Sequence, residues 1–263
     1  MLKALAVALF LCMLPLVSVF AASDDITTLV QKTAVLFAMA GSVLIAFLVI
    51  ISILVRHQSE LLKKVLFFSF LAAIGAPTLY FVGSTLYVNT MSDTKGPVHW
   101  HADFQIYACG QPIKLASPTS QLSNKVGTPI FHHHDDNRIH IEGVVANKQN
   151  FELADFFSAI GGELTKTSFT LPTNAGKREL RNGDLCGTDT GTWQVFVYRQ
   201  DESNPRVFRQ LNVKNYTQYL LSPHQNIPPG DCIIMEFDNL KEKTEHLCPL
   251  HAVELQNGAI SVK

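Results

Sequence analysis

Six of the ten histidines in this 263-residue chain lie between His99 and His140, in a spacing suited to holding a metal ion. Neutral imidazole is a borderline ligand that suits zinc and copper, and three or four imidazoles beside a carboxylate make a coordination sphere with its supports. His99 and His101 stand two apart in a run where Val98, Trp100, Ala102, Phe104 and Ile106 are apolar. On a strand, that spacing sends both imidazoles to one face, with Asp103 next along it. Arg138-Ile139-His140-Ile141-Glu142 alternates in the same way and sets His140 and Glu142 opposite Ile139 and Ile141. If the two strands lie close in one sheet, His99, His101, His140 and Glu142 meet on the face away from the covering helix. The loop His132-His133-His134-Asp135-Asp136 leads into the second strand and is placed to close over that face. Two other readings use the same residues: a cluster titrating at roughly pH 6–7, and an outward strand face that carries histidines without any ligand.

A second group sits near the C-terminus. In Glu245-His246-Leu247-Cys248-Pro249-Leu250-His251, Cys248 and His251 can serve a soft copper site. The simpler reading is a disulfide from Cys248 with surface histidines around it. His224, beside Pro223, reads as a loop residue. The chain has no Gly-rich phosphate loop, nucleophile elbow, Cys-x-x-Cys pair or His-Glu-x-x-His pattern, which weakens an enzyme reading. A net charge of −1 offers no basic excess for nucleic acid.

The elements that must position these groups follow from periodicity. Residues 98–107 alternate as a strand, Cys109-Gly110-Gln111-Pro112 turns, and 113–115 return. A loop rich in Ser, Thr, Pro and Gly fills 116–129 before the 138–142 strand. Phe151, Leu153, Phe156, Phe157 and Ile160 have helical spacing, stopped by Gly161-Gly162. Residues 193–198 and 232–237 make two more strands. Two strands, a helix and further strands predict an α+β domain over 98–263: a mixed sheet with one packed helix, in an order like that of the β-grasp arrangement. Cys109, Cys186, Cys232 and Cys248 all fall in this domain, an even number suited to disulfides in an oxidising compartment, with three pairings open. Asn215-Tyr216-Thr217 is a glycosylation sequon.

The chain before residue 98 has a different composition. Residues 1–21 read as a signal peptide ending near Val19-Phe20-Ala21, or as an uncleaved helix; Leu9-Phe10-Leu11 before Cys12 lacks the small residues of a lipoprotein signal. An outer linker over 22–33 precedes a charge-free run over 34–55, long enough to cross a bilayer. A connector over 56–64 carries Arg56, Lys63 and Lys64, and a second uncharged run over 65–88 contains Gly75 and Pro77. A linker over 89–97 joins the domain. The positive-inside rule puts the connector in the cytoplasm and both Asp24-Asp25 and the C-terminal domain on the periplasmic or extracellular side. The lipid bilayer is then a partner. Gly41, Ser42, Gly75 and Gly83 are small residues where another helix, including one from another membrane subunit, can approach.

Three stretches carry a resemblance: His99-Trp100-His101-Ala102-Asp103, the run from His132 through Glu142, and Phe151-Glu152-Leu153-Ala154-Asp155-Phe156-Phe157. They resemble a largely uncharacterised family of extracytoplasmic domains anchored to bacterial and archaeal membranes, over about residues 98–240. The family pattern is an H-W-H-A strand, an H-x-H-D loop running into I-H-I-E, and a helix with paired phenylalanines. The resemblance implies a shared site at His99, His101, His132, His134 and His140, without an activity to carry over. Asp103 and Glu142 are the candidate supporting carboxylates, and copper or zinc the expected ion. Three functions are consistent with this pattern. One is a tethered metal-binding domain; another is a metal-dependent enzyme using Asp103 or Glu142 as acid–base group; the third is an assembly subunit in which the histidines hold no metal.

Overall fold

The computed structural model describes residues 26–55, 57–119, 123–221 and 230–263. The signal segment 1–21, Asp24, Asp25, Arg56 and His224 lie outside the described residues. The chain separates into two compact units, Met1–Val88 and Asn89–Lys263.

The first unit holds helix α1 (Ile26–Leu54), and most of α2 (Glu60–Met91). Both are long and apolar enough to cross a membrane. At 1.5 Å per residue, the 29 residues of α1 rise about 43 Å, more than a hydrocarbon core. Helix α1 begins inside the segment expected as a linker, because nothing from Ile26 to Lys32 breaks a helix. Helix α2 takes in Lys63 and Lys64 and leaves a shorter connector than 56–64. Val43, Ile53 and Leu79 are among many large apolar side chains turned outward, which is compatible with contact with lipid. The helices meet at Gly41. Pro77 has no amide hydrogen to give the carbonyl of Ala73 four residues earlier, and that oxygen would stand 2.8 Å from a Cβ placed on Gly41. Gly41 thus serves the hairpin itself, with Phe37 and Tyr80 rings 4.9 Å apart beside it. Around Gly75 and Gly83 the space is open.

The second unit is α+β. Its main sheet, nine-stranded among the described residues, contains β1 (Pro97–Ala108), β2 (Gln111–Ile113), β3 (Val126–Gly127), β4 (Phe131–His133) and β5 (Arg138–Val144). It continues with β11 (Thr192–Asp201), β12 (Asn204–Asn212), β13 (Asp231–Asp238) and β14 (Ser261–Val262). The order is β14-β12-β11-β13-β1-β5-β4-β3, with β2 folded back on β1. β1 runs parallel to β13 and antiparallel to β5. Between β5 and β11 come α3 (Leu153–Ala159), a small sheet of β6 (Glu163–Leu164), β7 (Ser168–Thr173) and β8 (Gly176–Arg181), and the pair β9 (Leu185–Cys186) and β10 (Asp189–Thr190).

Alternation decides what each face does. Trp100, Ala102, Phe104 and Ile106 of β1 and Ile139 and Ile141 of β5 point into one core, which α3 fills with Leu153, Phe156 and Phe157 and β7 with Phe169 and Leu171. Phe156, Phe157 and Phe169 are fully buried, and each such side chain contributes about 2–3 kcal/mol of burial. The opposite face of β11, β12 and β13 carries Phe196, Tyr198, Phe208, Cys232 and Ile234, which pack with Cys248 and Ile260. That second core brings in α4 (Pro249–Gln256), so the domain packs a helix on each face rather than the single one expected. β11 and β13 are buried on both sides, and the opposite face of β1, β5 and β4 carries the histidines.

Cys109 pairs with Cys186 and Cys232 with Cys248 at disulfide distance, with sequence separations of 77 and 16. Loop closure makes the first the stronger constraint on the unfolded chain, about 4.5 against about 3 kcal/mol.

Candidate metal centre

The site is a grid laid down by strand register. His101 of β1 lies directly opposite His140 of β5, and His140 lies opposite His132 of β4. His99 stands opposite Glu142 in one neighbouring row, and Asp103 opposite Arg138 in the other. His134 follows β4 on the same face as His132, its ring 4.9 Å from that of His132 and 4.6 Å from that of His140. The His101 and His140 rings are 4.7 Å apart, and the His99 and His101 rings 4.5 Å.

The turn between β4 and β5 orients the central imidazole. Asp135 and Asn137 adopt φ of 70° and 54°, a left-handed backbone that Asp and Asn tolerate better than most residues. Between them, Asp136 Oδ1 accepts from the backbone N–H groups of His134 at 3.4 Å and Arg138 at 3.2 Å. Its Oδ2 accepts from His140 Nε2 at 2.9 Å. The proton on Nε2 leaves Nδ1 of His140 as a lone pair, buried and without a hydrogen-bond partner. A carboxylate behind a ligand imidazole is the usual support for a metal-bound histidine. His134 Nδ1 donates to the Asn124 carbonyl at 2.8 Å and so presents Nε2.

Both ring nitrogens of His132, and Nδ1 of His101, are likewise buried without a partner. Such groups are costly unless something binds them, at about 1–3 kcal/mol each. Burial holds His101 and His132 neutral. It pushes His101 down to about 4, helped by the neighbouring His140 and His99, and pushes His132 to about 4, helped by Lys125. His140 is also lowered by burial, against the opposing pull of Asp136. The hydrogen bond from Lys125 Nζ, 2.7 Å from Oε2, holds the Glu142 carboxyl below its usual range. Glu142 Oε1 is 3.1 Å from His99 Nε2, and Oε2 is 3.6 Å from His132 Nε2.

Two donor sets emerge. One ligand atom from each of His132, His134, His140 and Glu142 lies within 4.8 Å of the others, and the same holds for His99, His101 and His140. Either set could hold a metal ion. Comparison with protein-family models, with curated proteins and with solved structures gives no match. The geometry therefore carries the functional reading alone.

All five histidines of the expected ligand set stand on this face, with Glu142 among them. Asp103 shares the face but is engaged by Arg138, whose Nε is 2.6 Å from Oδ1. Its other oxygen is 3.9 Å from His251 Nδ1. His133, the middle of the triple, points the other way, into the core between Phe104 and Phe156. Of the C-terminal histidines, His251 departs from expectation. His251 is fully buried rather than on the surface, donating through Nε2 to the Gly230 carbonyl at 3.1 Å. Gly230 itself lies so close to β1 that a Cβ there would be 2.0 Å from the His101 carbonyl oxygen. His246 stacks on Tyr107 at 3.7 Å. Cys232, Cys248 and His251 also cluster, but the two sulfurs are at disulfide distance and so are not available as thiolates. Sequence reasoning named Asp136 only as part of a loop and overlooked Lys125 and Asn124; their roles depend on turn geometry rather than on periodicity.

Proposed function

We propose that this is a membrane-anchored protein whose outward-facing domain binds one transition metal ion, copper or zinc, through His132, His134, His140 and Glu142, with His99 and His101 at the rim. The observation that carries this reading is His140: its ring is fixed by Asp136, and its buried Nδ1 has no partner, among His101, His132 and His134. Three imidazoles and a carboxylate fit the borderline character of zinc or copper(II) better than that of magnesium or calcium.

The anchor and its sidedness rest on α1 and α2, on Lys63 and Lys64 next to the connector, and on two cysteine pairs suited to an oxidising compartment. A β-grasp-like fold is supported by the parallel pairing of β1 with β13 and by the central order β5-β1-β13-β11-β12, with α3 packed on one face of that sheet. Membership of the family of membrane-anchored extracytoplasmic domains rests on the histidine motifs and the paired-phenylalanine helix alone.

The test is elemental analysis of the full chain, purified in mild detergent without a histidine tag and titrated with zinc or copper. About one ion per chain is expected, lost in His132→Ala/His140→Ala. A wild-type protein that stays metal-free through both titrations would overturn the reading.

A further inference from the structure

The two donor sets share His140, and its Nε2 is taken by Asp136, so one nitrogen serves both. The sets differ in depth. The His99 side chain is 58% exposed, that of His140 10% and that of His132 0%. They are also coupled through Glu142, whose Oε1 faces His99 of the outer set while Oε2 faces His132 of the inner one.

We propose that these sets are two stations for a single ion: an entry triad, His99, His101 and His140, and a resting site, His132, His134, His140 and Glu142. A cation arriving from solvent meets His99 first, because it is the most exposed donor. His101 lies opposite His140 in register, so an ion held by the triad is already bound to the residue that carries it inward. Glu142 is held by His99 and Lys125 until then. As the ion moves to His132 and His134, Glu142 Oε2 becomes a ligand and the outer pair is released. His140 Nδ1 remains bound throughout, so the ion is never stripped of every protein ligand. The transfer exchanges one set of side-chain ligands for another and changes no oxidation state. Reversed, the same path delivers the ion to an acceptor at the surface, so the site becomes one for loading and unloading rather than for permanent storage. This rests on the metal-binding reading above.

Zinc alone, on the tag-free full chain in detergent, provides the test. Titration should stop at one ion per chain, since the two sets compete for one nitrogen. Stopped-flow uptake with a zinc indicator and release to a chelator then separate the stations. His99→Ala should slow uptake and release together, each at least tenfold, as removal of a station on the path does. His132→Ala should instead speed release at least tenfold, as loss of a resting ligand does. Two ions per wild-type chain, or a His99→Ala variant that loads and unloads at the wild-type rate, would overturn the two-station path while leaving metal binding intact. No ion on the wild type would overturn metal binding itself.

Discussion

Replacing Asp136 by Asn isolates the support of the central imidazole from its scaffold. Asp136 Oδ1 accepts two backbone N–H groups, those of His134 and Arg138, and the amide oxygen of Asn can keep both. Those two bonds fix the side chain's orientation and turn the new NH2 group toward His140 Nε2, where the carboxylate oxygen stood at 2.9 Å. A donor facing Nε2 favours the other imidazole tautomer, with the proton on Nδ1. That is the nitrogen both donor sets need. Binding a metal then requires reversing the tautomer and facing two N–H donors across one gap, and the ligand also loses the basicity a carboxylate confers. Loss of such an outer partner typically costs about 10–100-fold in metal affinity, or about 1.4–2.8 kcal/mol. The Asp136 side chain is 40% exposed, so water partly replaces it and the expected loss is nearer tenfold. Competition titration of zinc against a chromophoric chelator at neutral pH measures the affinity, and long-range nitrogen–proton NMR reads the His140 tautomer. An affinity within twofold of wild type, with Nε2 still protonated, would refute the reasoning.

Lys125→Met should tighten zinc binding by about tenfold. It frees Glu142 Oε2, held at 2.7 Å, and removes a positive charge from beside His132, and the gain should shrink as salt is raised; equal or weaker binding in the same titration would count against Glu142 as a ligand. Metal-free protein should lose stability as pH falls. Unfolded histidines take up protons near pH 6.5, whereas folded His101 and His132 do so only at about 4, so unfolding binds protons between these values. Their contribution is fully present above about pH 6.5, declines as pH drops through the window and levels off below about 4. Chemical denaturation followed by tryptophan fluorescence reports on the domain, because Trp100 and Trp193, the only two tryptophans, both lie in it; a midpoint independent of pH from 7 to 5 would refute this.

What was legible in the sequence divides along a physical line. Period two in 98–107 and 138–142 correctly separated Trp100, Ala102, Ile139 and Ile141 from His99, His101, His140 and Glu142, because those strands have one apolar core beneath them and a polar face above. The alternation could not state the register. It lies in the antiparallel pairings of β1 with β5 and of β4 with β5, which set His101 and His132 on either side of His140. β8 and β12 went unrecognised because these exposed strands carry mixed polar residues, as in Lys177, Arg178, Glu179 and Arg206. The second core was equally hidden. β11 and β13 are apolar on both faces, and an uninterrupted run such as Cys232-Ile233-Ile234-Met235 does not reveal what covers its far side. Within the site, the same distinction holds. Strand periodicity identifies donors, whereas the groups that orient them, Asp136 on His140 and Asn124 on His134, belong to turns whose left-handed residues carry no periodic signal. A histidine count therefore pointed to one polar face of the sheet, but the choice of Nδ1 over Nε2 at His140, on which both donor sets depend, came only from the four-residue turn between β4 and β5.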